Sequence, residues 1–262
     1  MYKWDKMEFL AQLSLIEIVA LQWANSAVRY FLLAGLAYVF FWKWGFNRWR
    51  GQFLYASKPR WAEQSREIQF SLLTTLIFTI PTIVVISAKD WIGFKLYLRW
   101  DEHGVAWYLC SYAIVFFLHD TYFYWSHRAM HSRLLYRHFH RVHHLSLEPS
   151  PLAAFAFHPL EAVVESLIFL IIPLLIPVHV SVLFLFTLFS LLVNIYNHLG
   201  FSLLSRDQLN RLPYRWFCHP DHHSWHHRFQ RGNYGFYLRF WDRLMGTWRG
   251  ELRLSSSERE SQ

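Results

Sequence analysis

The feature that most constrains this chain is an uncharged apolar run from residue 68 to residue 88, interrupted only by Pro81. As a helix rising about 1.5 Å per residue, a run of that length spans the hydrocarbon core of a bilayer, roughly 30 Å. Four further apolar segments accompany it, at 10–42, 105–118, 162–176 and 178–195. Pro173 and Pro177 separate the last two, which predicts a tight or re-entrant hairpin. Composition agrees. The chain of 262 residues is 54% hydrophobic and 20% aromatic but only 17% charged, where a soluble domain is nearer a quarter charged. The expected fold class is therefore an all-α integral membrane protein, one domain over 1–262. It would have four to five transmembrane or re-entrant helices and a helical cytoplasmic cap.

The net charge is +8. Because the basic residues flank apolar runs, they point to an anionic membrane surface and away from nucleic acid. Lys43, Arg48, Arg50, Lys58, Arg60 and Arg66 crowd residues 43–67 against Glu63 and Glu67. Residues 89–104 balance Lys89, Lys95 and Arg99 with Asp90, Asp101 and Glu102. The positive-inside bias places the first loop in the cytoplasm and the second opposite it. Arg128, Arg133, Arg137 and Arg141, and later Arg206, Arg211, Arg215, Arg228 and Arg231, fall on the cytoplasmic side too. Glu17 and Arg29, inside the first segment, are expected near the far interface, where such side chains snorkel. Residues 1–8 mix Lys3 and Lys6 with Asp5 and Glu8, which is not the basic start of a cleavable signal. The polar tail 253–262 is expected to be disordered. Cys110 and Cys218 stand outside any metal-ligand spacing and are expected as packing residues.

All the dense histidine clusters lie on the predicted cytoplasmic side. Of sixteen histidines, His127 and His131 form an i, i+4 pair on one helical face. His140, His143 and His144 read H-x-x-H-H, as do His223, His226 and His227. On a helix each such trio is expected to aim at a common point. His198 ends the fifth segment. His219, His222 and His223 make an overlapping H-x-x-H-H, so spacing alone leaves the register of the third cluster open. Neutral imidazole suits zinc, iron, copper or nickel rather than magnesium or calcium. Nine such residues are too many for one tetrahedral ion and fit two. The Glu-x-x-His pattern of carboxylate-bridged helical bundles is missing, so nitrogen would hold the pair almost alone. A zinc hydrolase reading lacks H-E-x-x-H and its general base. A metal-binding membrane protein without enzymatic activity is the other alternative.

Several stretches carry a resemblance. They are His119-Asp120-Thr-Tyr122-Phe-Tyr124-Trp125-Ser-His127-Arg128-Ala-Met-His131, His140 to His144, Asn197-His198-Leu-Gly200 and His222-His223-Ser-Trp-His226-His227. Gly232-Asn233-Tyr234-Gly235 and Trp241-Asp242-Arg243-Leu244-Met245-Gly246-Thr247-Trp248 complete the set. In order and spacing, over about 118–248, the chain resembles the fatty acid hydroxylase / sterol desaturase superfamily of membrane di-iron oxidases. The resemblance implies two iron ions with O2 as co-substrate. It also selects His223, His226 and His227 over His219. The implied ligands are His127, His131, His140, His143, His144, His198, His223, His226 and His227. His119, Asp120, His158, Glu161, Asn194, His219 and His222 are expected beside them, with Asp120 and Glu161 fixing imidazole tautomers. Family members often carry H-x-x-x-H where this chain has Asn194 to His198. Asn194 would then bind through a water or leave a position open. Tyr122, Tyr124, Trp125 and Trp225 are candidates for the site wall.

The implied reaction is O2-dependent hydroxylation of an unactivated C–H bond in a lipid such as a sterol or fatty acyl chain, with desaturation at the same centre as the alternative. The substrate would enter from the bilayer. The chain shows no haem, flavin or dinucleotide motif, so a separate b-type cytochrome or ferredoxin with its reductase is implied. The setting would be a bacterial inner membrane or the endoplasmic reticulum.

Overall fold

The structure is a computed structural model and describes residues 13–55, 57–99 and 101–251. The expectations for residues 1–8 and for the tail 253–262 lie outside the described residues. Helix α1, Leu15–Ala37, starts at an N-cap box in which Ser14 accepts from the Glu17 N–H and Glu17 accepts from the Ser14 N–H. Such a box satisfies two of the free donors at a helix start. Glu17 is thus a cap. Arg29 donates to Thr187 and lies over the Phe184 ring, so its charge is led along a neighbouring helix. A π-helical stretch, Tyr38–Trp44, prolongs α1.

Helix α2, Trp61–Ile77, begins before the uncharged run expected from the sequence. It then breaks at Phe78 and Thr79, and α3, Ile80–Ile92, takes over with Pro81 in its first turn. Proline is tolerated there because the first N–H groups of a helix have no intrahelical partner. The expected single helix over 68–88 is therefore two helices. Helix α4, Gly104–Met130, contains the 105–118 segment and runs on through the first histidine pair. A one-turn α5, Tyr136–Phe139, follows. Helix α6, Pro159–Leu175, and α7, Val180–Asn197, are joined through residues 176–179 as a helical hairpin whose two arms each pack on α4. The two-residue strands β1, Leu96–Tyr97, and β2, Val178–His179, pair in parallel and tie that hairpin to the α3–α4 loop. Three short helices complete the chain: α8, Arg206–Asn210; α9, Pro220–Phe229; and α10, Phe240–Leu244.

Among the described residues, three helical stretches are long and apolar enough to cross a membrane: Leu15–Trp44, Trp61–Ala88 and Val180–Asn197. The core lies between α4, α6 and α7, where Val115, Ile168, Ile172, Val182 and Phe186 meet Phe236 and Tyr237 of the C-terminal segment. A second core joins Trp42 and Tyr55 to Leu199 and Phe201. Gly200 sits between them at φ +65°, and a Cβ there would come within 2.6 Å of both rings. Only glycine fits, and the tight passage fixes the chain just after His198.

Candidate metal centre

Helix ends, one 3-10 turn and one short helix deliver the histidines of the centre. His127 lies in the last turn of α4 and His131 caps it. His140 caps α5, and a 3-10 turn over His143–Leu145 supplies His143 and His144. His198 caps α7. Helix α9 carries His223, His226 and His227. These nine side chains form two sets: His127, His131, His140, His144 and His226 in one, and His143, His198, His223 and His227 in the other. Within each set the ligand atoms lie within 4.8 Å of one another, and all nine residues except the half-buried His131 are buried.

The spacing fits a metal in each set. In the first, Nε2 of His127 is 2.9 Å from that of His140, and His131 is 3.2 Å from both His226 and His144. In the second, Nε2 separations are 3.3 Å for His198–His143 and 3.0 Å for both His223–His198 and His227–His223. Two imidazole nitrogens bound at about 2.1 Å and subtending about 90° at an ion lie roughly 3 Å apart.

The ring protons agree with that reading. Nδ1 of His127 donates to the Tyr234 carbonyl (2.9 Å), His226 to Gly232 (2.7 Å), His227 to Ser146 (2.9 Å) and His198 to Asn194 (2.8 Å). A carbonyl only accepts, so Nδ1 holds the proton and Nε2 is left with a free lone pair. Nδ1 of His140 meets Glu161 Oε1 at 2.6 Å. Burial pushes the His127 and His198 imidazoles down to about 4 and, with the neighbouring His127, takes His131 to about 2. Burial, reinforced by surrounding imidazoles, holds the other six well below the ordinary histidine range. Neutral imidazole is the form that binds metals.

Neither H-x-x-H-H box aims at a common point, which corrects the expectation from spacing. His140 and His144 serve one set and His143 the other; His223 and His227 serve the second set and His226 the first. The cause is helical phase. Residues at i and i+4 differ by about 40°, whereas the one at i+3 turns about 60° the other way. The His140–His144 box is also not one helix, because the chain passes from a cap into a 3-10 turn.

The neighbouring residues divide into several roles. Glu161 holds His140 as expected. Asp120 instead accepts from the Tyr237 and Leu238 N–H groups and fixes no imidazole, because the C-terminal segment supplies its donors. Asn194 orients His198 through its backbone carbonyl, while its side-chain amide donates to the Ala154 carbonyl. His158 caps α6 by accepting from the Leu160 N–H. His219 and His222 form the N-terminal cap of α9, and His219 also contacts Tyr196 and the Tyr214 carbonyl. His119 is buried among Phe123, Phe169, Phe186 and Phe236, off the ligand face. Cys110 is exposed and Cys218 buried, and both are free thiols. Among the aromatics, Tyr124 is buried and hydrogen-bonded to Thr247, whereas Tyr122 bonds the Val164 carbonyl, Trp125 packs on Trp241 and Trp225 on Phe229.

Two carboxylates outside the histidine boxes support the centre. Glu67 was counted only as a loop charge, yet it is buried and accepts from Ser146 and Ser150, and the Ser146 carbonyl holds His227. Asp242 accepts from the N–H groups of Tyr234 and Gly235 and from Thr247, and so braces the turn whose carbonyls hold His127 and His226. Within that turn Gly232 has φ +71°, and a Cβ would collide with the Thr247 carbonyl.

The profile of the fatty acid hydroxylase family matches residues 112–247, from mid-α4 to the end of the Asp242 brace. The chain belongs to the fatty acid hydroxylase / sterol desaturase superfamily. Its members carry out di-iron-mediated oxidation or desaturation of sterol or lipid C–H bonds. The lathosterol oxidase of Rattus norvegicus is 31% identical over 230 residues, covering 86% of this chain and 72% of the relative. A Delta(7)-sterol 5(6)-desaturase of Saccharomyces cerevisiae is 30% identical over 252 residues, covering 92% of this chain and 61% of that one. One of Gibberella zeae is 28% identical over 258 residues, covering 95% and 67%. No solved structure matches the chain. Superfamily membership makes iron the metal that two histidine sets of this kind are suited to hold.

Proposed function

We propose that this protein is an O2-dependent, non-haem di-iron oxidase of a membrane lipid, and that the nine clustered histidines are its ligands. The single observation that carries this reading is the sorting of nine imidazoles, eight of them buried, into sets of five and four with Nε2 atoms turned toward one another. Bound there, an iron pair supplies O2 activation and attack on an unactivated C–H bond. The chain's own groups do the rest. Glu161 and the carbonyls of Tyr234, Gly232, Ser146 and Asn194 hold the rings in one tautomer.

The relatives named as sterol oxidase and desaturases favour loss of two hydrogens from a sterol-like lipid, so desaturation is the outcome proposed. Hydroxylation, which the sequence alone favoured, is the second reading. Desaturation consumes one O2, two electrons and two protons and releases two waters. The electrons come from a separate donor, a b-type cytochrome or ferredoxin with its reductase, docking on the basic face. That face and the histidines are proposed to be cytoplasmic, with α4 and the α6–α7 hairpin adding to the three clear spans.

Lipid mass spectrometry of cells with and without the protein tests the reading. The expected product is lighter by two hydrogens and disappears in His223→Ala and His226→Ala. A product heavier by one oxygen selects hydroxylation. Turnover by zinc-loaded protein without O2 overturns the oxidase reading.

A further inference from the structure

Away from the histidines, an apolar groove of about 340 Å³ opens beside α4. It is lined by Phe117 and Thr121 of α4 and by Trp216, Leu238, Phe240 and Trp241 of the C-terminal segment. Asp120 at its floor is already satisfied by two backbone N–H groups. Rings close the groove off from the metal centre: Trp241 stacks on Tyr124 at 5.9 Å, Tyr124 meets Tyr234 at 6.3 Å, and Tyr234 lies 5.1 Å from His131. An occupant of the groove is therefore not presented to the ligands.

The rim is charged. The Arg243 guanidinium lies 5.0 Å over Trp216 and 5.8 Å over Trp248, and that of Arg215 lies 5.7 Å over Trp216. Among the described residues neither arginine has a carboxylate within ion-pair distance. We propose that this groove and rim bind an anionic glycerophospholipid of the surrounding bilayer, with an acyl chain along the groove and the phosphate at Arg215 and Arg243.

Two observations choose that occupant. The groove continues the outward face of α4, where Val105, Leu109 and Phe117 are all more than half exposed. That face borders hydrocarbon once α4 is in the membrane. The rim combines guanidinium groups, whose planar fork matches phosphate oxygens, with tryptophans, which settle at headgroup level. Exposed Leu244 and Met245 flank it. An apolar floor under a cationic rim is the profile of one lipid, tail and headgroup together.

Native mass spectrometry of the full chain tests this, after equilibration with equal amounts of phosphatidylglycerol and phosphatidylcholine. Wild type is expected to retain phosphatidylglycerol in about fivefold excess or more, the scale set by guanidinium attraction to anionic headgroups. The pair Arg215→Gln and Arg243→Gln should bring the ratio to near parity, whereas Arg133→Gln with Arg137→Gln should leave it unchanged. Equal retention by wild type, or an unchanged ratio in the Arg215/Arg243 variant, overturns the proposal. So does a variant that keeps its lipid ratio but needs more electron donor for half-maximal reduction, because the rim would then be a protein-docking face. A second measurement uses phospholipids brominated in the acyl chain. Brominated phosphatidylglycerol should quench wild-type tryptophan fluorescence more than brominated phosphatidylcholine, and Trp216→Phe should remove the excess. Equal quenching by the two lipids also overturns it. Neither readout involves turnover, so the lipid site and the proposed oxidase activity fail or stand separately.

Discussion

At the scale of single residues, the centre depends on what lies behind each imidazole. Glu161 shows this most clearly. Its Oε1 is 2.6 Å from Nδ1 of His140, and both side chains are about 2% exposed. Groups that orient a metal-bound histidine typically change affinity or activity by about 10–100-fold when removed. Glu161→Ala is expected to lower iron retention and turnover on that scale. Glu161→Gln keeps an acceptor oxygen at the same place and should recover part of both. Iron per chain after dialysis, read beside turnover, checks this; an alanine variant with full iron and full activity would sink the positioning role. Asn194 gives the opposite lesson. Its identity marks a gap in the family's H-x-x-x-H pattern, yet its side-chain Nδ2 donates to the Ala154 carbonyl and its backbone carbonyl serves His198. Sequence shows which atoms a residue carries, and only the fold shows which of them is free.

At the scale of elements, the two H-x-x-H-H boxes each give two histidines to one set and one to the other. The first helix pair, His127 and His131, then brings one set to five, while His198 stands without a histidine at i−4 and leaves the other at four. The two sets should not tolerate loss equally. His226→Ala leaves four histidines, as many as the intact second set holds, whereas His223→Ala leaves three. His223→Ala is expected to purify with clearly less iron than His226→Ala, although both lose turnover. Elemental analysis of the two variants decides it, and equal iron content would mean that the division into five and four does not describe the loaded protein. All nine candidate ligands could be named from the sequence: spacing marked the boxes, and the family resemblance chose the register of the third. Their partition was not. It depends on the one-turn α5, the 3-10 turn at His143 and the meeting of chain ends, none of which leaves a periodic trace. Glu67 and Asp242 leave no such trace either: Glu67 takes its donors from the Ser146 and Ser150 hydroxyls, 79 and 83 residues on, and Asp242 takes backbone N–H groups, which carry no residue identity.

At the scale of the whole molecule, membrane orientation follows from where the two kinds of loop lie. The α3–α4 loop packs on the α6–α7 turn, with the Lys95 N–H donating to Pro173 and its amine to Leu175. The loop after α1 goes the other way: Tyr55 donates to Ser224 on α9, within the histidine-bearing region. Helix α4 joins the two ends. From His103 to His127 it rises about 36 Å at 1.5 Å per residue, more than the hydrocarbon thickness of roughly 30 Å. The loop at 89–104 and the basic loops thus lie at opposite ends of α4, and we propose, from the positive-inside bias, that the basic end is the cytoplasmic one. Single cysteines test this in a background where the exposed Cys110 is replaced by serine. In intact cells an impermeant maleimide is expected to label Glu102→Cys but not Arg211→Cys, and permeabilisation should open position 211. Labelling of both positions from outside would place the histidines and the loop on one side, and α4 would then lie along the membrane. Labelling of position 211 alone would invert the protein and remove cytoplasmic electron donors from consideration.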